Sequence, residues 1–456
     1  MRLHPDVYFQ RYGTYTFLRH VGERKDFLYN DTAFAILKYV EEHPGCGCEE
    51  LCRSLSLEFE AAQEELEQDV RAFAEELYAS GILLKTEEVS DRCFSSARRE
   101  EPPLPGGKSI QDRIQEQCCA NNWLQNACLE LTYRCNERCI HCYIDDPPCA
   151  GEELGFEAYK KILEELKEMG CMSVLLTGGE PLLHPDFLKI ARYAKELRLM
   201  TDIYTNGLAL RQELLKQLLL LKPNSISFSF YGGRAEIHDQ ITGVPGSFER
   251  SLEAMKACRK AGIDTYIKTV VMRQNAEDYE ELLKLGKKMD VKVLSSLSII
   301  PTHKGRSVAS LRLPDAEAYR RILRLEYEYG NLVYQKEAVN RPDLICASGR
   351  STLSVDPFGN VHPCNGSSLV LGNCRETPLA FIWEHSPLLR EIRSLRYKDV
   401  SEACGSCPDR NWCSICMGGA MRENGKLAPG GDTCLIARAA REEFLSLGKL
   451  EGAASS

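Results

Sequence analysis

The sequence predicts an α/β protein: a parallel sheet curled into a full or partial barrel, with a winged-helix-like unit before it and a cysteine-rich region after it. Three observations carry this. From about 126 to 300, strand and amphipathic-helix patterns alternate six times, which indicates a parallel sheet with reactive groups at the strand C-terminal ends. Residues 1–95 read instead as strands followed by three helices. Beyond 331, eight of the 21 cysteines fall between Cys346 and Cys434, where random core usage would scatter them. Residues 96–118 read as a linker, 119–330 as the barrel domain and 331–456 as the cysteine-rich domain.

In the first unit, Val7 to Tyr12 and Thr14 to Val21 are β-rich runs around Gly13, a hairpin pattern, and Phe27 to Tyr29 is a third short strand. Asn30 is placed to cap a helix over Thr32 to Glu42, which His43-Pro44-Gly45 stops. Further helices are expected over Cys48 to Leu55 and Phe59 to Ser80, with Ile82-Leu83-Leu84 after Gly81. The run Leu28-Tyr29-Asn30-Asp31-Thr32-Ala33 and the close at Gly81-Ile82-Leu83 resemble the RiPP recognition element, the PqqD-like fold. That resemblance implies a precursor peptide whose leader adds to an edge strand beside the third helix. A DNA-binding winged helix is the alternative, and a third helix rich in Glu argues against it.

The linker is marked by Pro102-Pro103-Leu104-Pro105-Gly106-Gly107. Barrel strands are expected at Leu129–Tyr133, Ser173–Thr177, Thr201–Thr205, Ser225–Ser229, Thr265–Val271 and Val293–Ile299. A helix over Phe156 to Met169 with Gly170 as its stop is typical of the segments between them. Pro314 to Tyr329 reads as a last helix, and residues 354–363 as a hairpin around Asp356-Pro357-Phe358-Gly359.

The 456 residues carry a formal charge of −9, which gives a nucleic-acid partner no general electrostatic support. The start has no basic stretch before an apolar run, and no apolar stretch reaches the length of a membrane span, so a cytoplasmic protein is expected. In a reducing cytosol, clustered cysteines point to metal rather than to disulfides.

The strongest chemical signal is Cys135-x3-Cys139-x2-Cys142, directly after the first barrel strand. Three thiolates on one tight loop can bind three irons of a four-iron cubane and leave the fourth open. A structural zinc site is the alternative, but it wants four ligands, usually in paired knuckles. With Gly178-Gly179-Glu180-Pro181 after the second strand, Thr205 and Asn206 after the third and Ser229 after the fourth, the chain resembles the radical S-adenosylmethionine superfamily. The resemblance implies a partial (β/α)6 TIM-type barrel and S-adenosylmethionine bound by Gly178, Gly179, Glu180, Pro181, Thr205, Asn206 and Ser229. The glycines would let backbone approach the cofactor, and the Gly179 carbonyl or the Glu180 carboxylate would accept from its ammonium group. Two departures stand out. Relatives often have Ser-Leu-Asp-Gly where this chain has Ser229-Phe230-Tyr231-Gly232, and those with an arginine soon afterwards find Ile241 or Thr242 in its place.

The later cysteines resemble the SPASM domain, which implies two auxiliary 4Fe-4S clusters and three clusters in all. By analogy Cys346, Cys364 and Cys416 hold the first, with either Cys374 or an open iron completing it. Cys404, Cys407, Cys413 and Cys434 hold the second. The family ends this run Cys-x3-Cys, whereas here it is Cys413-x2-Cys416. Of the other cysteines, Cys171 and Cys258 read as packing residues, and Cys46, Cys48 and Cys52 lack a four-ligand spacing.

A recognition element fused to a SPASM enzyme resembles maturases of ribosomally synthesised peptides. The implied function is oxidative modification through a 5′-deoxyadenosyl radical, with thioether formation from a cysteine sulfur to carbon placed first. A carbon–carbon or carbon–oxygen cross-link is the runner-up. An activating enzyme that oxidises Cys or Ser of a folded protein, and a non-catalytic iron–sulfur peptide-binding protein, are the other classes. A flavodoxin or ferredoxin is the implied electron donor.

Overall fold

The computed structural model describes residues 1–57, 63–85, 109–144, 151–331, 344–429 and 431–454. They fall into two compact units, 1–118 and 119–456.

In the first unit, β1 (Arg2–Leu3) precedes an antiparallel meander of β2 (Val7–Tyr12), β3 (Tyr15–His20) and β4 (Lys25–Asn30). Three helices follow: α1 (Asp31–Glu42), α2 (Cys48–Leu55) and α3 (Gln63–Ala79). The Asn30 side chain accepts from Ala33 N at 3.2 Å and fixes the start of α1. Gly13 takes φ +61° in the tight turn between β2 and β3, a conformation that favours glycine. Leu37, Leu51, Leu77 and Ile82 build the core. The chain then returns as β5 (Leu83–Leu84) to pair with β1, a strand too short for a sequence pattern.

The start of the expected third helix, Cys93 and most of the expected linker lie outside the described residues. The end of that linker is helical: α4 (Ile110–Asn121) occupies it. Ser109 and Asp112 explain why. Each donates its backbone N–H to the other's side chain at 3.1 Å, a capping box, and Ile114 and Cys118 are buried one turn apart.

The second unit alternates β6 (Asn126–Thr132), α5 (Phe156–Glu168), β7 (Ser173–Gly178), α6 (Phe187–Glu196), β8 (Met200–Thr205), α7 (Gln212–Leu221) and β9 (Ser225–Ser229). Two helices, α8 (Ala235–Thr242) and α9 (Ser247–Lys260), come before β10 (Thr265–Val270), α10 (Tyr279–Lys288), β11 (Lys292–Ser296) and α11 (Ala316–Glu328). The six strands pair in parallel in chain order. Leu129, Leu176, Ile203, Phe228 and Ile267 face the helix-covered core, on the side away from the barrel interior. Strands β6 and β11 do not pair, so the barrel is partial.

The hairpin of β12 (Thr352–Val355) and β13 (Asn360–His362) forms as its sequence predicts. The Asp356 carboxylate accepts from Phe358 N and Asn360 N at 2.9 Å each. The pattern did not reveal its place: β12 lies parallel along the free edge of β6, and β14 (Gly372–Asn373) follows on β13. Helices α12 (Leu379–His385), α13 (Pro387–Ser394), α14 (Tyr397–Val400), α15 (Glu402–Gly405), α16 (Met417–Asn424) and α17 (Thr433–Ala454) complete the unit. Among the described residues no helix is long and apolar enough to cross a membrane.

Candidate functional site

Strand β6 delivers the chain into the loop that carries Cys135, Cys139 and Cys142. The loop is held from two sides. Arg138 N and Ile140 N donate to the carbonyls of Thr242 and Ile241 at 2.8 and 3.1 Å, which ties the loop to the end of α8. His141 packs edge-on against Tyr231, with ring centroids 4.3 Å apart. Both departures of the sequence thereby gain a structural role: Tyr231 braces the cysteine loop, and Ile241 and Thr242 grip its backbone.

The three cysteines line a cavity of about 820 Å³. Gly178, Gly179, Thr205, Asn206 and Ser229 stand on the same wall, at the ends of β7, β8 and β9. Asn206 donates to Asn136 Oδ1 at 2.6 Å and to Cys135 Sγ at 3.8 Å. Residues that the sequence reading had not singled out complete the wall, including Tyr133, Tyr143, Tyr204, Lys268, Arg306 and Asn365. Their signal lay in the strands: Tyr204 and Lys268 sit at the inward, alternating positions of β8 and β10.

The glycines have a packing reason beside the one expected. A side chain on Gly178 would start 2.4 Å from the Thr132 carbonyl oxygen, and one on Gly179 would start 2.5 Å from that of Arg134. Their smallness therefore lets β7 close on β6 and on the cysteine loop. Glu180 differs too. Its carboxylate is fully buried and accepts from Thr205 Oγ1 at 2.7 Å, Asn206 N at 2.8 Å and Leu182 N at 3.1 Å. It braces the ends of β7 and β8 instead of facing the cavity, and burial pushes it up to about 7. Pro181 is buried at the start of a short 3-10 turn beside it.

Among the described residues no three His, Cys, Asp or Glu side chains converge on a single metal ion. A lone tetrahedral ion needs thiolates about 3.8 Å apart, a wider cubane does not. Burial pushes the Cys135 thiol up to about 12 and Cys139 well above the usual thiol range. Such thiols become stable thiolates when a cationic centre replaces the lost water. The buried Nδ1 of His141 has no hydrogen-bond partner among the described residues, which leaves this loop with polar capacity to offer. The donor set fits an iron–sulfur cluster.

Electrostatic coupling links several of the later cysteines. Cys364 and Cys416 both raise the thiol of Cys346, after burial, and Cys416 raises Cys364, so the three lie together although 70 residues separate the ends of the set. Cys416 caps α16, accepting from Gly419 N at 3.3 Å. After burial, Cys404 and Cys407 both raise Cys434, and Cys413 packs with Cys404 on a small core that Cys346 also touches. Cys374 is elsewhere: it packs on the barrel core, with Glu165 and Asp356 as its acidic neighbours. The structure does not bring it to Cys346, Cys364 and Cys416. Cys171 and Cys258 are buried packing residues, as expected. Cys149 lies outside the described residues.

The chain matches the Radical SAM superfamily over residues 129–286, the SPASM iron–sulfur cluster-binding domain over 346–408 and the coenzyme PQQ synthesis protein D domain (PqqD) over 21–83. It is 29% identical to the AdoMet-dependent heme synthase of Methanosarcina barkeri, over 65% of this chain and 92% of that one. It is 28% identical to the mycofactocin maturase MftC of Mycolicibacterium smegmatis, over 64% of this chain and 76% of that one. The crystal structure of Streptococcus suis SuiB bound to precursor peptide SuiA has the same fold, with a TM-score of 0.60 at 17% identity, over 95% of this chain and 99% of that one.

Proposed function

We propose, from the premise that this chain is a radical S-adenosylmethionine oxidoreductase with a PqqD-like domain and a SPASM domain, that it matures a ribosomally synthesised precursor peptide. The observation that carries this is the single cavity shared by Cys135, Cys139, Cys142 and the ends of β7, β8 and β9, in a chain that also has a PqqD-like unit. Cys135, Cys139 and Cys142 would hold a 4Fe-4S cluster whose open iron takes the cofactor. When bound, cluster and cofactor together supply a one-electron cleavage that ends in 5′-deoxyadenosine and a substrate radical.

The chain's part is positioning. His141 and Tyr231 hold the cysteine loop, Asn206 donates toward Cys135, and Thr205 and Ser229, which line the cavity, would meet the ribose and carboxylate. Glu180 keeps two of those strand ends in register. Cys346, Cys364 and Cys416 would hold one auxiliary cluster with an open iron, and Cys404, Cys407, Cys413 and Cys434 the other. Held there, such clusters would supply an acceptor for the electron of the product radical, which would make the net reaction oxidative. The leader would add to β4, which among the described residues has a strand on one side alone, next to α3, whose Phe73 and Glu76 already contact Tyr29.

The bond we favour is a thioether from a cysteine sulfur to carbon, with carbon–carbon or carbon–oxygen cross-links behind it. The name of the Methanosarcina protein offers a heme-forming reaction as a second reading; the PqqD-like unit favours a peptide. A cytoplasmic flavodoxin or ferredoxin is the donor we expect. The test is reconstitution with iron and sulfide, then reduction with S-adenosylmethionine present. We expect 5′-deoxyadenosine, and deletion of residues 1–95 to weaken peptide turnover far more than peptide-free cofactor cleavage. No 5′-deoxyadenosine from fully loaded protein would remove the proposal.

A further inference from the structure

One cation inside the barrel has no part in the scheme so far. Among the described residues, Arg138, Lys268 and Arg306 are the Lys and Arg side chains that line the cavity. Arg138 is engaged by its own loop, donating to the carbonyls of Cys135 and Glu137 at 2.9 and 2.7 Å. Arg306 is exposed. Lys268 differs from both. It is half-buried at an inward position of β10, and its ammonium donates to the Tyr204 hydroxyl of β8 at 2.7 Å and lies 4.2 Å from the centre of that ring.

Among the described residues no carboxylate stands within ion-pair distance of this ammonium. Asp202, two residues before Tyr204 on β8, acts on it from further away, and its carboxylate already accepts from Asn224 Nδ2 at 2.8 Å and Ser225 Oγ at 2.5 Å. An ammonium has three N–H donors, and the neutral Tyr204 hydroxyl takes one. The direction of the side chain matters too. In the sheet Lys268 pairs with Ser229, whereas Tyr204 pairs with Ser227, so the ammonium is drawn across β9 and away from the strand end assigned to the cofactor. Cys128, at an interior position of β6, also acts on it. The cavity continues to Asn365, the neighbour of Cys364. A substrate that fills this space displaces water from a cation whose own partner is neutral, which costs free energy unless the substrate brings an anion.

We infer that Lys268, oriented by Tyr204, anchors a carboxylate of the peptide substrate, supplied by an acidic side chain or by the peptide's C-terminus beside the residue that is modified. This rests on the function proposed above. In an unmodified ribosomal peptide the anions that fit such a site are carboxylates. The two N–H donors that Tyr204 leaves can both serve one carboxylate, and an isosteric amide cannot replace the ion pair. Lys268 thereby selects which stretch of the core peptide comes to rest in the cavity, and Tyr204 is its positioning residue.

The test uses the fully loaded enzyme with S-adenosylmethionine and three probes: N-acetyl-Gly-Asp-Gly-amide with a side-chain carboxylate, N-acetyl-Gly-Gly-Gly with a terminal one, and N-acetyl-Gly-Asn-Gly-amide with neither. Saturation-transfer NMR at pH 7 reads their binding. We expect the wild type to bind at least one acid in preference to the uncharged probe, and the acid that binds identifies the source of the carboxylate. Lys268→Gln should weaken that binding about tenfold or more, the loss of one charge-assisted contact. Lys268→Arg, which keeps the charge, should retain the preference. Equal binding of acid and uncharged probes by the wild type, or binding of neither acid, would overturn the assignment without recourse to a variant. So would a Lys268→Gln protein that keeps the preference for acid while its S-adenosylmethionine affinity falls in equilibrium dialysis, since the ammonium would then serve the cofactor. A loaded wild type that prefers the acids but forms no 5′-deoxyadenosine would remove the proposed function and leave the carboxylate site standing.

Discussion

The cysteine loop after β6 and the trio Cys346, Cys364 and Cys416 are built in opposite ways. The first is local. Eight consecutive residues carry three thiols, and the rest of the fold only braces them, through the carbonyls of Ile241 and Thr242 and the ring of Tyr231. The second is assembled. Cys346 precedes β12, Cys364 follows β13, and Cys416 caps α16, so no thiol of this set is near another until the hairpin and the helix have docked. A local site can be written in a motif and tolerates change elsewhere. An assembled site depends on the packing that creates it.

Substitutions can break or sharpen that contrast. The largest effect is expected from Cys139→Ala: 5′-deoxyadenosine formation should disappear while iron analysis shows loss of one cluster's iron and retention of the rest. Retention of cleavage would end the assignment of the loop. Next comes Gly179→Ala. Its methyl group would start 2.5 Å from the Arg134 carbonyl oxygen, so overpacking should cost about 1–3 kcal/mol of stability by denaturant titration. Cofactor affinity should fall with it, because the displaced backbone is that of the cysteine loop.

A smaller effect belongs to Asp239, which fastens the α8–α9 turn that holds the loop. Burial alone would raise its carboxyl. Donation from Phe248 N and Ser247 Oγ, both at 2.9 Å, and from Gly246 N at 2.5 Å outweighs this and holds it below the ordinary carboxylate range. A lowered value means that the stabilisation is present above that range and is lost as pH falls through the folded-state value. Asp239→Asn should therefore lower the melting temperature at pH 7, and the gap from the wild type should shrink toward pH 3. A gap that grows on acidification would contradict this. The smallest effect is expected from Cys374→Ala, which should leave iron and sulfide content unchanged, since that thiol packs on the barrel core. Loss of iron there would erase the distinction between the assembled trio and its neighbours.

The same contrast explains what the amino-acid order disclosed. The six barrel strands and the cysteine loop were legible because each rests on local periodicity or on one short motif. The last turns before the barrel were misread as linker, since the proline-rich stretch masked the reciprocal caps of Ser109 and Asp112 that start α4. Glu180 was legible as part of a motif but not in its direction, which only the folded ends of β7 and β8 decide. Tyr143 and Arg422 were invisible as a pair, because the guanidinium that lies 5.6 Å over that ring comes from α16, far later in the chain. The docking of β12 on β6 was equally hidden: a four-residue strand says nothing about which edge it will find.

That docking makes the barrel a poor candidate for dissection. A chain cut before 344 would leave the outer rim of β6 with bare amide and carbonyl groups in a row, the kind of edge that recruits other molecules into aggregates. Swapping the cysteine-rich tail between homologues should therefore succeed only when the crossover carries the 352–355 segment together with a compatible 126–129 segment.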